Sequence, residues 1–233
     1  SKAMRPARSA ATTFEKVMSA SEEDRPTYLA VRKVHRPTGL ERTVRAVPER
    51  ISWATLEEAQ LEKKRLIARK LLLSPGMEVL DIGSGWGGFA IHAASQYGCR
   101  VTTTTISQQQ YDLAVQRIHE AGLSDRITVL RTDYRDLPQL NRQFDKLVSI
   151  EMIEAVGHEH LRSYFGQIGR LLKPGGAAVI QVIAQPDERY DAYCRSSDFI
   201  REHIFPGGHL PSMGAMVEAA RGTGLRVTRV RDI

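Results

Sequence analysis

"VLDIGSGWGG", residues 79–88, decides the fold. An apolar run carries Asp81 and gives way to Gly83, Gly85 and Gly88 in GxGxxG spacing, and "GGFAIHAASQYG" follows with the pattern of a helix. Glycines between a strand and a helix let the backbone turn tightly and approach a ligand closely, which is the opening unit of a wound α/β sheet. The spacing alone does not select the ligand, because a nicotinamide-binding chain would show it too. Two details argue against a dinucleotide. Asp81 stands just ahead of the first glycine, where a carboxylate would repel a pyrophosphate, and the next strand, "VTTTTIS", ends without the acidic residue that holds a ribose. A cationic ligand suits this loop better.

Outward from the loop, the periodicity alternates. Upstream, "TLEEAQLEKKRLIARKLLL" reads as a helix: Thr55 can cap it with Glu58 three residues on, Leu56, Ala59, Leu66, Ile67 and Leu71 recur at helical spacing, and Pro75-Gly76 ends it. Downstream, "CRVTTTTI", "RITVLRTD", "FDKLVSI" and "GAAVIQVIA" read as strands, with "SQQQYDLAVQRIHEAG" and "HLRSYFGQIGRLLK" as helices among them and "LRVTRVRDI" as a sixth strand. Strands alternating with helices imply an α/β fold: a mostly parallel sheet wound by right-handed crossovers and flanked by helices. Residues 51–233 form this body. Residues 1–50 read as a basic N-terminal arm whose prolines and charges favour short elements and loops.

The 233 residues, 42% of them hydrophobic, suit one globular domain. Cys99 and Cys194 are too few for a disulfide framework and lack zinc-ligand spacing, so a reducing, cytoplasmic setting is expected. No stretch approaches the roughly 20 apolar residues of a membrane span, and the first thirty residues are too polar for a signal peptide. The net charge of +6 is concentrated at one end: residues 1–70 hold 16 Lys/Arg against 9 Asp/Glu, which leaves the rest at −1. Such a segment suits the anionic face of a membrane. Nucleic acid is not expected as a partner, since the arm lacks interleaved aromatics.

Ligands of open parallel sheets bind beyond the carboxyl ends of the strands. An acidic residue ahead of a glycine loop resembles the first motif of S-adenosylmethionine methyltransferases, whose ligand carries an ammonium and a sulfonium. Asp133, in "RTDYRDL" after the third strand, stands where these enzymes often place an acceptor for the adenine amino group; Ser107 followed by Gln110 reads equally as a helix cap. After the fourth strand comes "SIEMIEAVGHEH", residues 149–160. Glu151 and Glu154 would share one face of a helical turn, and a carboxylate pair facing a cationic ligand suits a reaction that develops positive charge. His158 and His160, two apart, make poor joint metal ligands, so no metal is expected.

Taken together, "LEEAQLEKKRLIARKL", "PGMEVLDIGSGWGGFAIHAA", "TISQQQ", "DYRDL", "FDKLVSIEMIEAVG", "LLKPGG" and "DFIREHIFPGGHLPS" resemble the cyclopropane fatty acid synthases and mycolic acid cyclopropane synthases over residues 56–212. The resemblance implies a class I methyltransferase fold acting on the double bond of an unsaturated acyl chain, usually in an intact phospholipid. It implies a cofactor set of Asp81, Gly83, Ser84, Gly85, Trp86, Gly87, Thr105, Ser107, Gln110, Asp133 and Tyr134. It places the family's catalytic glutamate, which helps hold a bicarbonate ion, on Glu154, and Glu151, Gln181 and Ile183 are expected to complete the catalytic set. In the implied mechanism the alkene attacks the sulfonium methyl, and bicarbonate or a carboxylate deprotonates the resulting carbocation as a ring closes. Phe199, Ile200, Ile204, Phe205 and Leu210 offer an acyl channel.

Three departures stand out. The family's Tyr-Ser-Cys segment upstream of "LEEAQ" is absent or rewritten, Gln181 stands where the family commonly has a histidine, and the strand expected to pair with "LRVTRVRDI" would lie beyond Ile233. The altered ligands leave a second outcome open, in which a hydride shift precedes proton loss and gives a methylene or methyl branch; a reductase partner would then follow. A soluble small-molecule methyltransferase is a further alternative. A homo-oligomer and peripheral attachment to the inner face of the membrane are both compatible with the sequence.

Overall fold

The computed structural model describes residues 26–33, as backbone, and 55–232. The rest of the basic arm, and the rewritten segment near residue 45, lie outside the described residues. Seven strands form one sheet: β1 (Pro26–Lys33), β2 (Glu78–Ile82), β3 (Arg100–Thr105), β4 (Ile127–Arg131), β5 (Phe144–Ile150), β6 (Leu172–Ile183) and β7 (Leu225–Asp232). Their order is β4-β3-β2-β5-β6-β1-β7, with β2 to β6 parallel and β1 antiparallel to both its neighbours. The slot beside β7, expected to belong to a strand beyond Ile233, is held by Pro26–Lys33 from the arm.

Among the described residues six helices flank the sheet: α1 (Leu56–Leu71), α2 (Gly88–Tyr97), α3 (Gln108–Glu120), α4 (Leu161–Leu171), α5 (Asp187–Arg195) and α6 (Met213–Ala220). The capping box of α1 forms as read: Thr55 Oγ1 accepts from Glu58 N–H at 3.2 Å, and Thr55 N–H donates to the Glu58 carboxylate at 2.7 Å. The helix stops earlier than its sequence suggests, at Leu72, which turns left-handed (φ 52°) before Pro75-Gly76 is reached.

Alternating residues of the central strands feed two cores, one on each face. Val79, Val148 and Val179 pack with Ile67 and Leu71 of α1 and Phe89 and Ala93 of α2. Leu80, Ile82, Leu147 and Ile180 pack with Tyr164, Phe165 and Ile168 of α4 and Met216 of α6. With apolar cover on both faces, the polar groups that interrupt the strands gather at one place, the carboxyl ends.

Candidate active site

Asp81 points from β2 toward the α1–α2 face and is 1% exposed. Its register partner on β3 is Thr103, whose hydroxyl donates to Oδ2 at 2.9 Å, while Oδ1 has no partner among the described residues. Burial pushes this carboxyl up from 3.8 to about 7, against the lowering effect of the Thr103 hydrogen bond. A buried carboxyl with one free oxygen is poised for a donor or a cation.

The glycine loop beside it is held by Gly83 N–H and Ser84 N–H, which both donate to the Thr104 carbonyl, at 3.1 and 2.7 Å. Gly83 has φ 95°, and a Cβ there would lie 2.9 Å from Met152 Cγ, so only glycine lets the loop pass under the β5 turn. Ser84 is buried and its hydroxyl donates to Gly85 O at 3.0 Å; Gly87 caps α2 with a left-handed backbone; Trp86 is exposed, and its carbonyl accepts from Arg117.

After β3, Ser107 caps α3 as read, accepting from Gln110 N–H at 3.3 Å. The Thr105 hydroxyl donates to the Gln110 side chain at 2.7 Å, which locks those two residues together. Asp133 is gripped by Arg135 through both oxygens, at 2.9 and 2.6 Å, and this contact holds its carboxyl below the ordinary range. Tyr134 is partly buried, edge-on to Tyr164 at 5.4 Å.

Glu151 and Glu154 do not share a helical face. Glu151 has a left-handed backbone (φ 50°), a conformation that costs a side-chain-bearing residue about 1–2 kcal/mol and that persists where neighbours hold it. Gln181 does the holding: its carbonyl accepts Glu151 N–H at 3.0 Å and its Nε2 donates to Glu151 Oε1 at 2.7 Å. Lys63 of α1 reaches the same oxygen at 3.2 Å. Glu154 lies beyond, in the 3₁₀ turn Ile153–Ala155. Ile183 N–H donates to its Oε1 at 2.9 Å, its carbonyl accepts His209 N–H at 2.7 Å, and Oε2 is buried without a partner among the described residues. Burial raises the Glu154 carboxyl from 4.5 to about 7, opposed by the Ile183 N–H.

The site therefore unites the carboxyl ends of β2, β3, β5 and β6 around Asp81, Glu154 and Gln181, whose Oε1 is also unpartnered. Sequence reading missed four participants. Thr103 carried only a faint signal, since it is one of four consecutive threonines in β3. Ser149 and Tyr164 are buried on the opposite face with neighbouring hydroxyls, and burial raises the Tyr164 phenol. Lys63 sits on an amphipathic helix and had no local signal. Phe199, Ile200, Ile204 and Phe205, expected to line a channel, are 67, 48, 43 and 57% exposed among the described residues, and no residue of the turn Ile200–Ile204 is buried; Leu210 is half-buried.

The mycolic acid cyclopropane synthetase family profile matches residues 46–233. The tuberculostearic acid methyltransferase UfaA1 of Mycobacterium tuberculosis is 38% identical over 177 residues, which is 76% of this chain and 40% of that protein. The cyclopropane-fatty-acyl-phospholipid synthase of Escherichia coli K12 is 41% identical over 165 residues, 71% of this chain and 40% of that one. Among solved structures, mycolic acid cyclopropane synthase CmaA1 complexed with SAH and CTAB superposes with a TM-score of 0.67 at 34% identity, covering 76% of this chain and 64% of that chain. The chain thus spans less than half the length of the first two relatives. By sequence profile, identity and fold, it belongs to the mycolic acid cyclopropane synthetase family.

Proposed function

We propose that the chain is an S-adenosylmethionine-dependent C-methyltransferase acting on the double bond of unsaturated acyl chains of phospholipids, in the manner of a cyclopropane fatty acid synthase. The observation that carries this reading is Glu154: a buried carboxyl, half satisfied by Ile183 N–H, with its second oxygen unpartnered at the end of β5. An alkene is a weak nucleophile, so its methylation asks for a dry site with negative charge aimed where positive charge develops.

The residues present fit the cofactor. Asp81 offers an unpartnered oxygen to a cationic group, and the left-handed glycines at 83, 85 and 87 present backbone to a ligand without side chains in the way. Ser84 and Trp86 of that loop, with Thr105, Ser107, Gln110, Asp133 and Tyr134, would complete the holding set. Asp133 keeps lone pairs for an amino group while bound to Arg135. When bound, S-adenosylmethionine supplies an electrophilic methyl group. The chain's own part is to exclude water, orient the alkene and offset positive charge on the acyl chain through Glu154.

Bicarbonate, which needs both donors and acceptors, also fits. Gln181 Oε1 can accept, and Glu154 Oε2 can donate when protonated or accept when ionised. The exposed apolar patch at 199–205 and the N-terminal charge surplus support peripheral contact with an anionic lipid surface. Among the described residues no helix is long and apolar enough to cross a membrane. The arm at residues 1–50 would then serve twice, giving β1 to the sheet and basic charge to that surface.

A second outcome, a methylene or methyl branch, is favoured by Gln181. Its Nε2 is committed to Glu151, so the ligand set differs from the histidine-bearing pattern of the family. Relatives carry both kinds of name, cyclopropane synthase and fatty acid methyltransferase. The reading is tested by supplying S-adenosylmethionine with a radiolabelled methyl group and vesicles of oleoyl phospholipid. Label should enter the lipid extract, and Glu154→Gln should lower the rate by about 100-fold or more with cofactor binding retained. Equal incorporation by the variant would remove Glu154 from the chemistry, and no incorporation would favour a soluble substrate.

A further inference from the structure

We propose that His158, Cys194 and His209, with Tyr190 as fourth donor, form a zinc site that fastens the segment after β6 to the loop carrying Glu154. One ligand atom of each of His158, Cys194 and His209 lies within 4.8 Å of the others. The Tyr190 hydroxyl stands among them, 2.7 Å from His158 Nδ1 and 2.8 Å from His209 Nε2. The neighbour that rules out His158 with His160 in sequence is the wrong one: the true partners come 36 and 51 residues further along the chain and meet His158 only in the fold.

Two imidazoles, a thiol and a phenol are a donor set that selects zinc over oxygen-seeking cations. Zn–N bonds of about 2.0–2.1 Å and Zn–S of about 2.3 Å make tetrahedral edges of about 3.3–3.6 Å, so the His158, Cys194 and His209 ligand atoms must close by up to about 1 Å while the Tyr190 oxygen, now 2.7 and 2.8 Å from the imidazoles, backs off by about 0.6 Å. His158 is exposed and Cys194 half-buried, which leaves their side chains room to do so, while the buried His209 is fixed. The Tyr190 hydroxyl can donate to one imidazole and accept from the other, so the donors are already gathered round one point before a metal binds. On binding, the thiol releases its proton to solvent as the Zn–S bond forms, with no change of oxidation state. Arg201, stacked on Tyr193 at 4.5 Å, brings positive charge near, and the thiolate so formed offsets it.

The site would join three stretches: the 3₁₀ turn His158–His160, helix α5, and the loop before Ser212. Because His209 N–H donates to the Glu154 carbonyl at 2.7 Å, the metal would also steady the turn bearing Glu154. The inference does not depend on the methylation reading, and its test uses neither cofactor nor lipid.

The untagged 233-residue chain is stripped with chelator, kept reduced with a phosphine, and titrated with Zn²⁺ and separately with Co²⁺. Elemental analysis should find one zinc per chain, and the melting temperature should rise by about 5 to 10 °C at a hundredfold excess over Kd. The Co²⁺ form should show a sulfur-to-cobalt charge-transfer band that Cys194→Ser abolishes, and His209→Ala should weaken zinc binding by more than about 100-fold. A wild-type cobalt form without that band overturns the proposal, as does zinc retained undiminished by both variants.

Discussion

Replacing Asp81 by asparagine separates what the site costs the fold from what it gives to binding. Asp81 is 1% exposed, with one oxygen bonded to Thr103 and the other unpartnered. Its carboxyl ionises near 3.8 in an unfolded chain and at about 7 in the folded one. Between those values the folded state holds a proton that the unfolded state has released, so stability falls as pH rises, and the full penalty is present above about pH 7. Between pH 5 and pH 8 the group spends about two pH units in that interval, which at about 1.4 kcal/mol per unit is about 3 kcal/mol. The variant carries no charge to desolvate. It places an unsatisfied amide N–H₂ in the pocket, at about 1–3 kcal/mol, but that cost is the same at both pH values and cancels in the comparison. Urea unfolding of the cofactor-free chain and of Asp81→Asn, each at pH 5 and pH 8, should therefore show the wild type losing about 3 kcal/mol more than the variant over this range, at matched m-values. Affinity for S-adenosylmethionine should fall in the variant that is relatively steadier at pH 8. Identical pH dependences for the two chains would refute the reasoning, because the folded carboxyl would then be no more desolvated than the unfolded one.

Three further outcomes follow from the same geometry. Because both Asp81 and Glu154 ionise at about 7 and their charged forms attract a cation, kcat/KM for S-adenosylmethionine should rise with pH through about 7, with the corresponding break in kcat at lower pH; a flat profile from pH 5.5 to 8.5 would contradict this. Gly83→Ala, whose Cβ would sit 2.9 Å from Met152 Cγ, should cost about 1–3 kcal/mol in urea unfolding, more than Gly85→Ala, where nothing lies within 4 Å. Phe199→Ser with Phe205→Ser should weaken binding to anionic oleoyl vesicles by about tenfold or more while leaving the unfolding midpoint within about 0.5 kcal/mol of wild type, since both rings are exposed.

Much of this molecule was legible where local rules govern. The Thr55–Glu58 box, the Ser107 cap and the succession of strands and helices follow from spacing and burial, and the glycine loop with Asp81 pointed to the sheet end where unpartnered buried oxygens of Asp81, Glu154 and Gln181 lie among the described residues. What escaped depended on contacts distant in sequence. Lys63 meets Glu151 across 88 residues, and Gln181 meets it across 30, so the left-handed turn at Glu151 is imposed from outside and the rule that residues three apart share a helical face does not apply. Strand Pro26–Lys33 lies in a proline-bearing, charged stretch with no long apolar period; its place between β6 and β7 comes from the unpaired edges those strands present. Phe199, Ile200, Ile204 and Phe205 are interleaved with Arg201, Glu202 and His203, a mixed composition that does not fix their burial, and among the described residues they are exposed.

In the proposed reaction a methyl group is transferred to an alkene carbon of a phospholipid acyl chain, and one proton is then lost from that methyl. The most direct test incubates the purified chain with S-adenosylmethionine carrying a trideuterated methyl group and oleoyl phospholipid vesicles, followed by gas chromatography and mass spectrometry of the fatty acid methyl esters. The product should carry an added CH₂ unit that retains two of the three deuteriums, whether as a ring, inert to double-bond-directed derivatisation, or as a reactive methylene. Acyl chains without label, from a chain that demonstrably binds the cofactor, would contradict it.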